Sequence, residues 1–571
     1  MIPGFPVFAD PVLADQAPPG RLSGYPAFLQ RSDQAGMYLA DVTLRRRDDA
    51  ALNPAPLRVL AEPVFTDPPQ GGFSLGARQT LFFSSHTWIA RPDDTRRRNA
   101  VARPRLRAAA NVTRTFPFFP EESRASTTTN GFLEIANDDR AFDWLPAAAT
   151  IDGLPVKVYH GPRRGYFDSF DQRLYALGRS FEGRRDRVRI ELQNDASPLL
   201  RPLAFRYYVG AGGIDGDPEL QGQPVPSAFG FCFNVSLRRI SRAFEVWQIA
   251  QGPLQGIVAV KERGLVNTNF VGDFPNWGAL VTASIPPFWY GTCRALGVVR
   301  FGTPPVGIVT ADVQGFVFQG TWLSTLPDIA EYMLRHRAGL PPEEIDRAAI
   351  FALGNQEAGY FTGAADLQVN DFFDEAARSI VGFHGRARDG RYRLKGVIAP
   401  ERVTAPPPFP VPGVTVSPQP LETFVRSRQK AYYRRNWTVM GPADISEAVD
   451  DVTSLELQSR GRFVERDNGS AAAYYPTARE GEPIDTLFTG RPGAEDACKT
   501  VIEMFGIERD IFTVEIGRRG FGIDGGDIVA FKTDRYGAGG KPFIVREIRE
   551  RSDGESLALT VFGAAERLPS T

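Results

Sequence analysis

Cysteine and histidine are scarce in this chain, which has 3 Cys and 4 His among 571 residues. Cys232, Cys293 and Cys498 lie far apart in the sequence, which predicts buried free thiols rather than a disulfide framework or a cysteine-ligated metal. The histidines show neither an i, i+4 pair nor an HExxH context, the patterns that bring two imidazoles to one metal ion. We therefore expect no metal site and no other cofactor.

Long apolar runs are also missing. No segment approaches the ~20 consecutive apolar residues of a membrane-spanning helix. The amino terminus, MIPGFPVFADPVLADQAPPG, has no positively charged region, and prolines interrupt its apolar stretch. We expect that the chain has no secretory signal. We also expect that it is made as a soluble protein in a cytoplasm. The formal net charge of -1 gives the whole chain no general attraction to nucleic acid or anionic membranes.

The sequence also lacks a GxSxG nucleophile elbow, a P-loop and a Rossmann fingerprint. Carboxylates cluster at three places: Asp138-Asp139 with Asp143, Glu343-Glu344 and Asp450-Asp451. Any two carboxylates could act as the acid and base of a glycosidase if the fold held them at the right distance. A turn, a helix amino terminus and a solvated pair explain these clusters more simply. We predict no catalytic residues and no enzymatic activity.

Glycine and proline, by contrast, are abundant, at 56 and 46 residues. Short apolar runs between Gly and Pro clusters are typical of short strands joined by tight turns, and this pattern fills residues 210–264, 302–315 and 526–548. The predicted fold class is mainly β with an α+β insertion, in a multidomain chain of several small β-barrel or sandwich domains.

Composition changes along the chain predict six segments. They are an irregular β region (1–104), a β-barrel-like domain (105–195), a β domain (196–324), an α+β domain (325–400), a Pro-rich linker (401–420) and a β-rich, barrel-like domain with one helix (421–571).

Local patterns predict individual elements within these segments. Val188, Ile190 and Leu192 alternate with polar residues, which is the period of a strand with one buried face. Helices are predicted at 325–339, at 341–353 and after Asn370, with Asn370 as N-cap and Gly382 as C-cap.

Two further patterns lie beyond these helices. The pair Asp389-Gly390 predicts a two-residue type I′ hairpin turn. An apolar stripe from Ala497 to Phe505 predicts a helix with one face in a core.

The densest charge feature is the basic strip RRRNAVARPRLR, which has no acidic residue among its six arginines: Arg96, Arg97, Arg98, Arg103, Arg105 and Arg107. In an extended chain, Arg103, Arg105 and Arg107 would point to one side. The strip fits an interface with an acidic partner subunit, or with DNA that passes through a lumen. A solvated loop paired with acids elsewhere in the chain explains it equally simply.

Several segments together resemble one family. They are GDPELQGQPVPSAFGFCFNV with its sequel LQGIVAVKERG, GTCRALGVVRFGTPPVGIVTADVQG, ARDGRYRLKGVIAP and GDIVAFKTDRYGAGGKPFIVREI. Over about residues 105–565, this set of strand and turn motifs resembles the baseplate hub or tail-tip proteins of long-tailed bacteriophages, of the Mu-like siphophage and gene transfer agent type.

The resemblance implies a structural protein of the virion tail tip, made in the host bacterial cytoplasm. It implies a trimer whose barrel-like domains form a ring between the tail tube, distal tail protein and tape measure protein on one side and a central fibre or spike on the other. Such a ring would also help gate passing DNA. Some relatives carry a cysteine-bound iron-sulfur site or a hydrolase module, and this sequence shows the motifs of neither. Two alternatives remain open: a cell-wall hydrolase of the tail that uses paired carboxylates, and a receptor-binding tail protein.

Overall fold

The computed structural model describes residues 36–46, 78–109, 111–194, 197–363, 365–404, 408–411, 414–417, 425–517, 520, 522–550 and 556–564. Strands dominate these residues and form several separate sheets. The chain is therefore a mainly β, multidomain protein, which confirms the predicted fold class.

An amino-terminal sheet contains eight strands. In spatial order they are Arg78–Ser84, Gly36–Arg46, Pro155–Pro162, Asp171–Gly183, Arg187–Gln193, Phe132–Ala136 and Leu106–Ala108, with Ala149–Thr150 paired to Gly36–Arg46. Val188, Ile190 and Leu192 are buried in it, as their alternation predicts. The sheet joins strands from both sides of residue 104, and the six-segment division stays a prediction.

A central sheet follows in the chain. Its strands run in the order Leu265–Val266, Leu254–Glu262, Val309–Phe318, Ala228–Ser236 and Gly359–Phe361, with Thr321–Trp322 paired to Val309–Phe318. Gly230 has a φ of +61°, and a Cβ there would lie 1.7 Å from the carbonyl oxygen of Ala358. Only glycine fits this close approach of two backbones.

Beside it lies a five-stranded sheet in the order Arg238–Ser241, Val246–Gln248, Val298–Phe301, Tyr290–Cys293 and Phe270–Asp273. Phe270–Asp273 runs parallel to Tyr290–Cys293, whereas the other pairings are antiparallel. The strands Leu265–Val266 and Phe270–Asp273 are thus edge strands of two neighbouring sheets, only four residues apart in the sequence.

The helical unit differs in detail from the sequence prediction. The first helix, Leu326–Tyr332, continues as a π-helix over Met333–Arg337. In place of the predicted second helix, the chain forms a 3-10 turn and then the short helix Arg347–Phe351. The third is Val369–Ser379. Its N-cap is Gln368 rather than Asn370, because Gln368 and Asp371 form a capping box, and its C-cap is Ile380 rather than Gly382.

The hairpin after this helix has a longer turn than predicted. Its strands are Gly382–Arg386 and Tyr392–Gly396. The Gly390 N–H donates to the Ala387 carbonyl, and Gly390 has a φ of +83°, whereas Asp389 has no positive φ. Asp389-Gly390 therefore does not form a type I′ turn, since that turn needs two positive φ values.

The carboxyl-terminal sheet follows the order Val414–Ser417, Asp510–Gly517, Ser556–Gly563, Phe543–Glu550, Val112–Thr115 and Thr127–Asn130, with Ile528–Val529 paired to Phe543–Glu550. It thus takes two strands from the first quarter of the chain. A smaller sheet consists of Arg462–Asp467, Arg426–Tyr433, Arg479–Glu480 and Ile484–Asp485.

The predicted apolar stripe lies on the helix Arg491–Phe505, where Ala497, Cys498, Val501 and Phe505 are buried. The short helices Trp144–Ala148, Trp277–Thr282, Asp451–Gln458 and Gly469–Tyr474 are additional to the prediction. Two short strand pairs complete the described elements: Trp88–Ile89 with Val101–Ala102, and Phe409–Pro410 with Phe531–Lys532.

Candidate interfaces and buried charge junction

The first part of the basic strip is neutralised within the chain. Arg97 pairs with Asp41 of the amino-terminal sheet, and Arg96 Nε lies 3.2 Å from Asp168 Oδ1. Arg97 also stacks on the rings of Phe82 and Phe167. These contacts hold the strip against its own sheet.

The rest of the strip meets the first carboxylate cluster. Arg105 pairs with Asp139, and its hydrogen bond lowers the pKa of Asp139 below the ordinary value. Arg107 bridges two acids, with Nη2 2.7 Å from Asp138 Oδ2 and Nη1 2.6 Å from Asp186 Oδ2. The hydrogen bond from Arg107 likewise lowers the pKa of Asp186, so Asp139 and Asp186 stay ionised at neutral pH.

Two arginines of the strip remain available for contacts with a partner. Arg98 and Arg103 are exposed and form no ion pair with any residue that the structure describes, although Arg103 lies over the ring of Phe142 at 5.7 Å. Arg98 and Arg103 are therefore the arginines through which the strip would contact a partner. This interface role stays a prediction.

The other carboxylate clusters have structural contacts. Asp450 is not merely solvated: it caps the helix Asp451–Gln458, where its Oδ1 accepts from the Thr453 N–H at 2.9 Å. That bond lowers the pKa of Asp450. Glu344 accepts from Arg386 Nη1 at 2.9 Å. Each contact matches the role of a cap or an ion pair.

One buried histidine has a defined set of partners. His384 is fully buried, its Nε2 lies 2.9 Å from Asp374 Oδ1, and its Nδ1 contacts the hydroxyl of Tyr392. The imidazole thereby ties the helix Val369–Ser379 to both strands of the hairpin.

A buried charge junction connects the amino-terminal sheet, the carboxyl-terminal sheet and the hairpin. The sequence pattern did not predict it. Its members are Arg114, Asp171, Arg173, Arg388, Arg393, Asp524 and Glu550. Arg114 Nη1 and Arg173 Nε each donate to Glu550, at 3.2 Å, and Arg173 Nη2 lies 2.8 Å from Glu550 Oε1. Arg173 belongs to the amino-terminal sheet, whereas Arg114 and Glu550 are in the carboxyl-terminal sheet.

The hairpin enters the same junction. Arg388 Nη1 lies 2.8 Å from Asp171 Oδ2, and Arg393 Nη2 lies 3.1 Å from Asp524 Oδ1. Burial alone would raise the pKa of Asp524, but Arg393 and Arg388 hold it well below its ordinary value. Burial alone would also raise the pKa of Glu550, but the charges of Arg173 and Arg114 lower it below the ordinary value. Both carboxylates are therefore ionised at neutral pH.

No single pattern in the sequence marks this junction. Arg114 and Arg173 stand in strands of ordinary alternation, and the carboxylate that they share, Glu550, is hundreds of residues away. The only local signal is an arginine on the buried side of a strand, which requires a partner from elsewhere.

A second surface is apolar and exposed. This apolar rim consists of Leu265, Val266, Phe270, Val271, Phe288, Trp289 and Val306, and its first four residues belong to the two edge strands of the central sheets. Asn267 Nδ2 donates to the Phe288 carbonyl at 3.1 Å, and the Val306 N–H donates to Glu262. Monomeric soluble proteins rarely expose large contiguous patches of this kind, whereas interaction sites do.

Phe288 is held in an unfavourable backbone conformation. The Trp289 N–H donates to the Pro286 carbonyl at 3.1 Å, and Phe288 has a φ of +68°. Pro287 and Phe288 therefore occupy the central positions of a turn of type II character, whose second central position favours Gly or Asn. Phe288 is nevertheless 73% exposed. The backbone of Phe288 is hydrogen-bonded within the chain, but its exposed ring gains little from the fold, which makes it a candidate for a contact outside the chain.

The three cysteines are free and buried, as predicted. Among the described residues, no group of three His, Cys, Asp or Glu side chains could hold a metal ion. None of the helices in the described part of the chain is long and apolar enough to span a membrane.

The chain resembles solved tail and virion proteins. A chain of the virion of a native gene transfer agent (GTA) particle has 13% identity and a TM-score of 0.37, with 62% of this chain and 87% of that chain covered. The 43 kDa tail protein of prophage MuSo2 from Shewanella oneidensis has 9% identity and a TM-score of 0.35, with 81% and 95% covered. A tail protein from Neisseria meningitidis MC58 has 11% identity and a TM-score of 0.33, with 80% and 91% covered.

No family model matches the chain, and no curated protein matches it.

Proposed function

We propose that this protein is a structural, non-enzymatic baseplate hub of a phage or phage-like tail. In this role a ring of copies at the tail tip joins the tail tube and distal tail protein to a central fibre or spike and helps gate DNA. The observation that carries the proposal is the apolar rim, because it includes residues of two edge strands that a closed ring would cover.

The buried charge junction supports the same role. It locks strands from residues 112–115, 171–183 and 543–550 to the hairpin. A scaffold that joins neighbours on several sides needs its own sheets held in one arrangement. Buried ion pairs meet that need, because they require specific geometry and so disfavour alternative packings.

Three of the carboxylates that a cell-wall hydrolase could use have partners within the chain. Asp138 and Asp139 bond to Arg107 and Arg105, and Asp450 caps a helix. Lowered pKa values also make Asp139 and Asp450 poor general acids at neutral pH. A hydrolase would release muropeptides from purified peptidoglycan and lose this activity in Asp138→Asn or Asp139→Asn.

Cryo-EM of the intact particle tests the hub proposal. We expect three copies around the tail axis, with the apolar rim of each copy covered by a neighbouring copy. A peripheral position with a solvent-exposed rim would overturn it and would favour a receptor-binding protein.

Variants of Phe288 test the rim itself. Particles with Phe288→Ala should assemble poorly, because the variant removes the exposed ring from the proposed contact. Tyr474→Ala is the matched control, since Tyr474 is also an exposed aromatic, at 79%, but lies outside the rim. Normal assembly of Phe288→Ala would contradict the role of the rim.

A further inference from the structure

Three buried hydrogen-bond donors belong to neighbouring residues, since Arg206 and Arg238 both act electrostatically on Tyr208. The Oη of Tyr208, the Nε of Arg206 and the Nη1 of Arg238 are buried and have no hydrogen-bond partner within the described part of the chain. Tyr208 itself is only 2% exposed. A buried donor without an acceptor is costly, so three together require an explanation.

The backbone directs these side chains toward one place. The Tyr208 N–H donates to the Gln223 carbonyl and the Val225 N–H donates to the Arg206 carbonyl, so the segment 206–208 is extended along 223–225. Arg206 and Tyr208 are two residues apart and share one side of it. Arg238 and Ile240 are two residues apart on the same strand. Ile240 packs with Tyr208 in one hydrophobic cluster.

The positive charges of this group are not neutralised by the chain. Two acids of this region have arginine partners, since Glu245 pairs with Arg239 and Glu219 pairs with Arg242 at 2.6 Å. Arg206 Nη2 donates to the Ile214 carbonyl at 3.3 Å, and neither Arg206 nor Arg238 forms an ion pair with any described residue. Neither guanidinium group therefore has a carboxylate at ion-pair distance within the described part of the chain.

Tyr208 completes the donor set. Burial raises the pKa of its hydroxyl far above the ordinary value, so the hydroxyl stays protonated and donates. As whole residues Arg206 and Arg238 are half-buried, although the Arg206 Nε and the Arg238 Nη1 are themselves buried.

We propose that Arg206, Tyr208 and Arg238 form a binding site for one oxyanion group, a phosphate or a carboxylate. Such a group accepts hydrogen bonds from all three donors and offsets the positive charge of the two arginines, which a water molecule cannot do. This site is independent of the hub role, and nothing in the hub proposal depends on it.

Calorimetric titration of the full chain with sodium phosphate tests the site, with sodium chloride at equal ionic strength as the reference. We expect one phosphate per chain. Arg238→Met and Tyr208→Phe should each weaken binding about tenfold or more, because each removes a hydrogen bond to a charged group. Arg242→Met is the matched control, since Arg242 is a nearby exposed arginine that is already paired, and it should bind phosphate as the wild type does.

Thermal unfolding gives a second readout that does not depend on detecting weak binding. Without phosphate, Arg238→Met should be at least as stable as the wild type, because it removes an uncompensated charge. With phosphate the order should reverse. Equal effects of phosphate and chloride, or a phosphate effect that Arg238→Met leaves unchanged, would overturn the site and leave ordered water as the partner of these donors.

A parallel titration with sodium acetate distinguishes the two sources of the oxyanion. A response to acetate as strong as that to phosphate indicates a carboxylate, which a partner polypeptide can supply. A response to phosphate alone indicates a phosphate group. No response to either anion contradicts the proposal.

Discussion

Arg173 and Glu550 are 377 residues apart in the sequence, yet Arg173 donates from Nε to Glu550 Oε2 at 3.2 Å inside the protein. The pair joins the amino-terminal sheet to the carboxyl-terminal sheet, and Arg114 shares the same carboxylate. Because all three groups are buried, each depends on the others for its charge balance.

Replacing Glu550 should therefore destabilise the protein strongly. Glu550→Gln leaves Arg114 and Arg173 without their counter-charge, and breaking a buried pair costs about 3–5 kcal/mol. Urea denaturation measures the change in the free energy of unfolding. Glu547→Gln is the control on the same strand, because Glu547 pairs with the exposed Arg549, and it should cost less than about 1 kcal/mol. Equal losses in the two variants would contradict the junction.

The junction should also make stability depend on acid pH. Asp524 and Glu550 have lowered pKa values in the folded protein, so their stabilisation is complete above the pKa of the unfolded chain, at about pH 4. It is lost as pH falls through the lowered values. We expect the difference in unfolding free energy between wild type and Asp524→Asn to shrink below about pH 4. A constant difference from pH 6 to pH 2.5, measured by urea unfolding at each pH, would contradict this.

Phe288→Gly should stabilise the isolated chain. Glycine accepts the φ of +68° without strain. The strain energy that is relieved should exceed the free-energy cost of ordering the more flexible glycine on folding by about 1 kcal/mol. Phe288→Ala is the control, because it removes the same exposed ring but keeps the Cβ and its strain. It should show no gain in urea denaturation. An equal gain in both variants would assign the effect to the ring rather than to the backbone.

The two unpaired arginines of the basic strip give a fourth prediction. Arg98→Gln with Arg103→Gln should leave the unfolding free energy within about 0.5 kcal/mol of wild type, since both side chains are exposed. If the strip contacts an acidic partner subunit, the double variant should weaken incorporation into particles, most clearly at low salt. Arg184→Gln is the control, as Arg184 is an exposed arginine of the same sheet region. Unchanged incorporation at low salt would leave the strip as a solvated surface.

Patterns that depend on near neighbours were predictable. The alternation at Val188, Ile190 and Leu192 and the apolar stripe of the helix Arg491–Phe505 appear as expected, because burial of one face follows directly from the period of the element. Details of capping were less predictable. Gln368 precedes Asn370 and completes a capping box with Asp371, which outweighs the general preference for Asn at an N-cap.

The candidate sites were predictable only in part. The basic strip was visible as a run of arginines, but its pairing with Asp41, Asp139 and Asp186 depends on how the amino-terminal sheet folds. The apolar rim gathers residues from separate turns and edges, and the φ of Phe288 follows from a turn whose residues do not favour it.

The amino-acid order by itself determined the mainly β fold class of this protein, because many Gly and Pro residues between short apolar runs produce short strands and tight turns. Only the tertiary structure decided which strands share a sheet, where Glu550 finds its arginines, and which donors near Tyr208 are left without an acceptor. The physical reason is that strand pairing and ion pairing act through space, whereas local sequence encodes only the period and the turns.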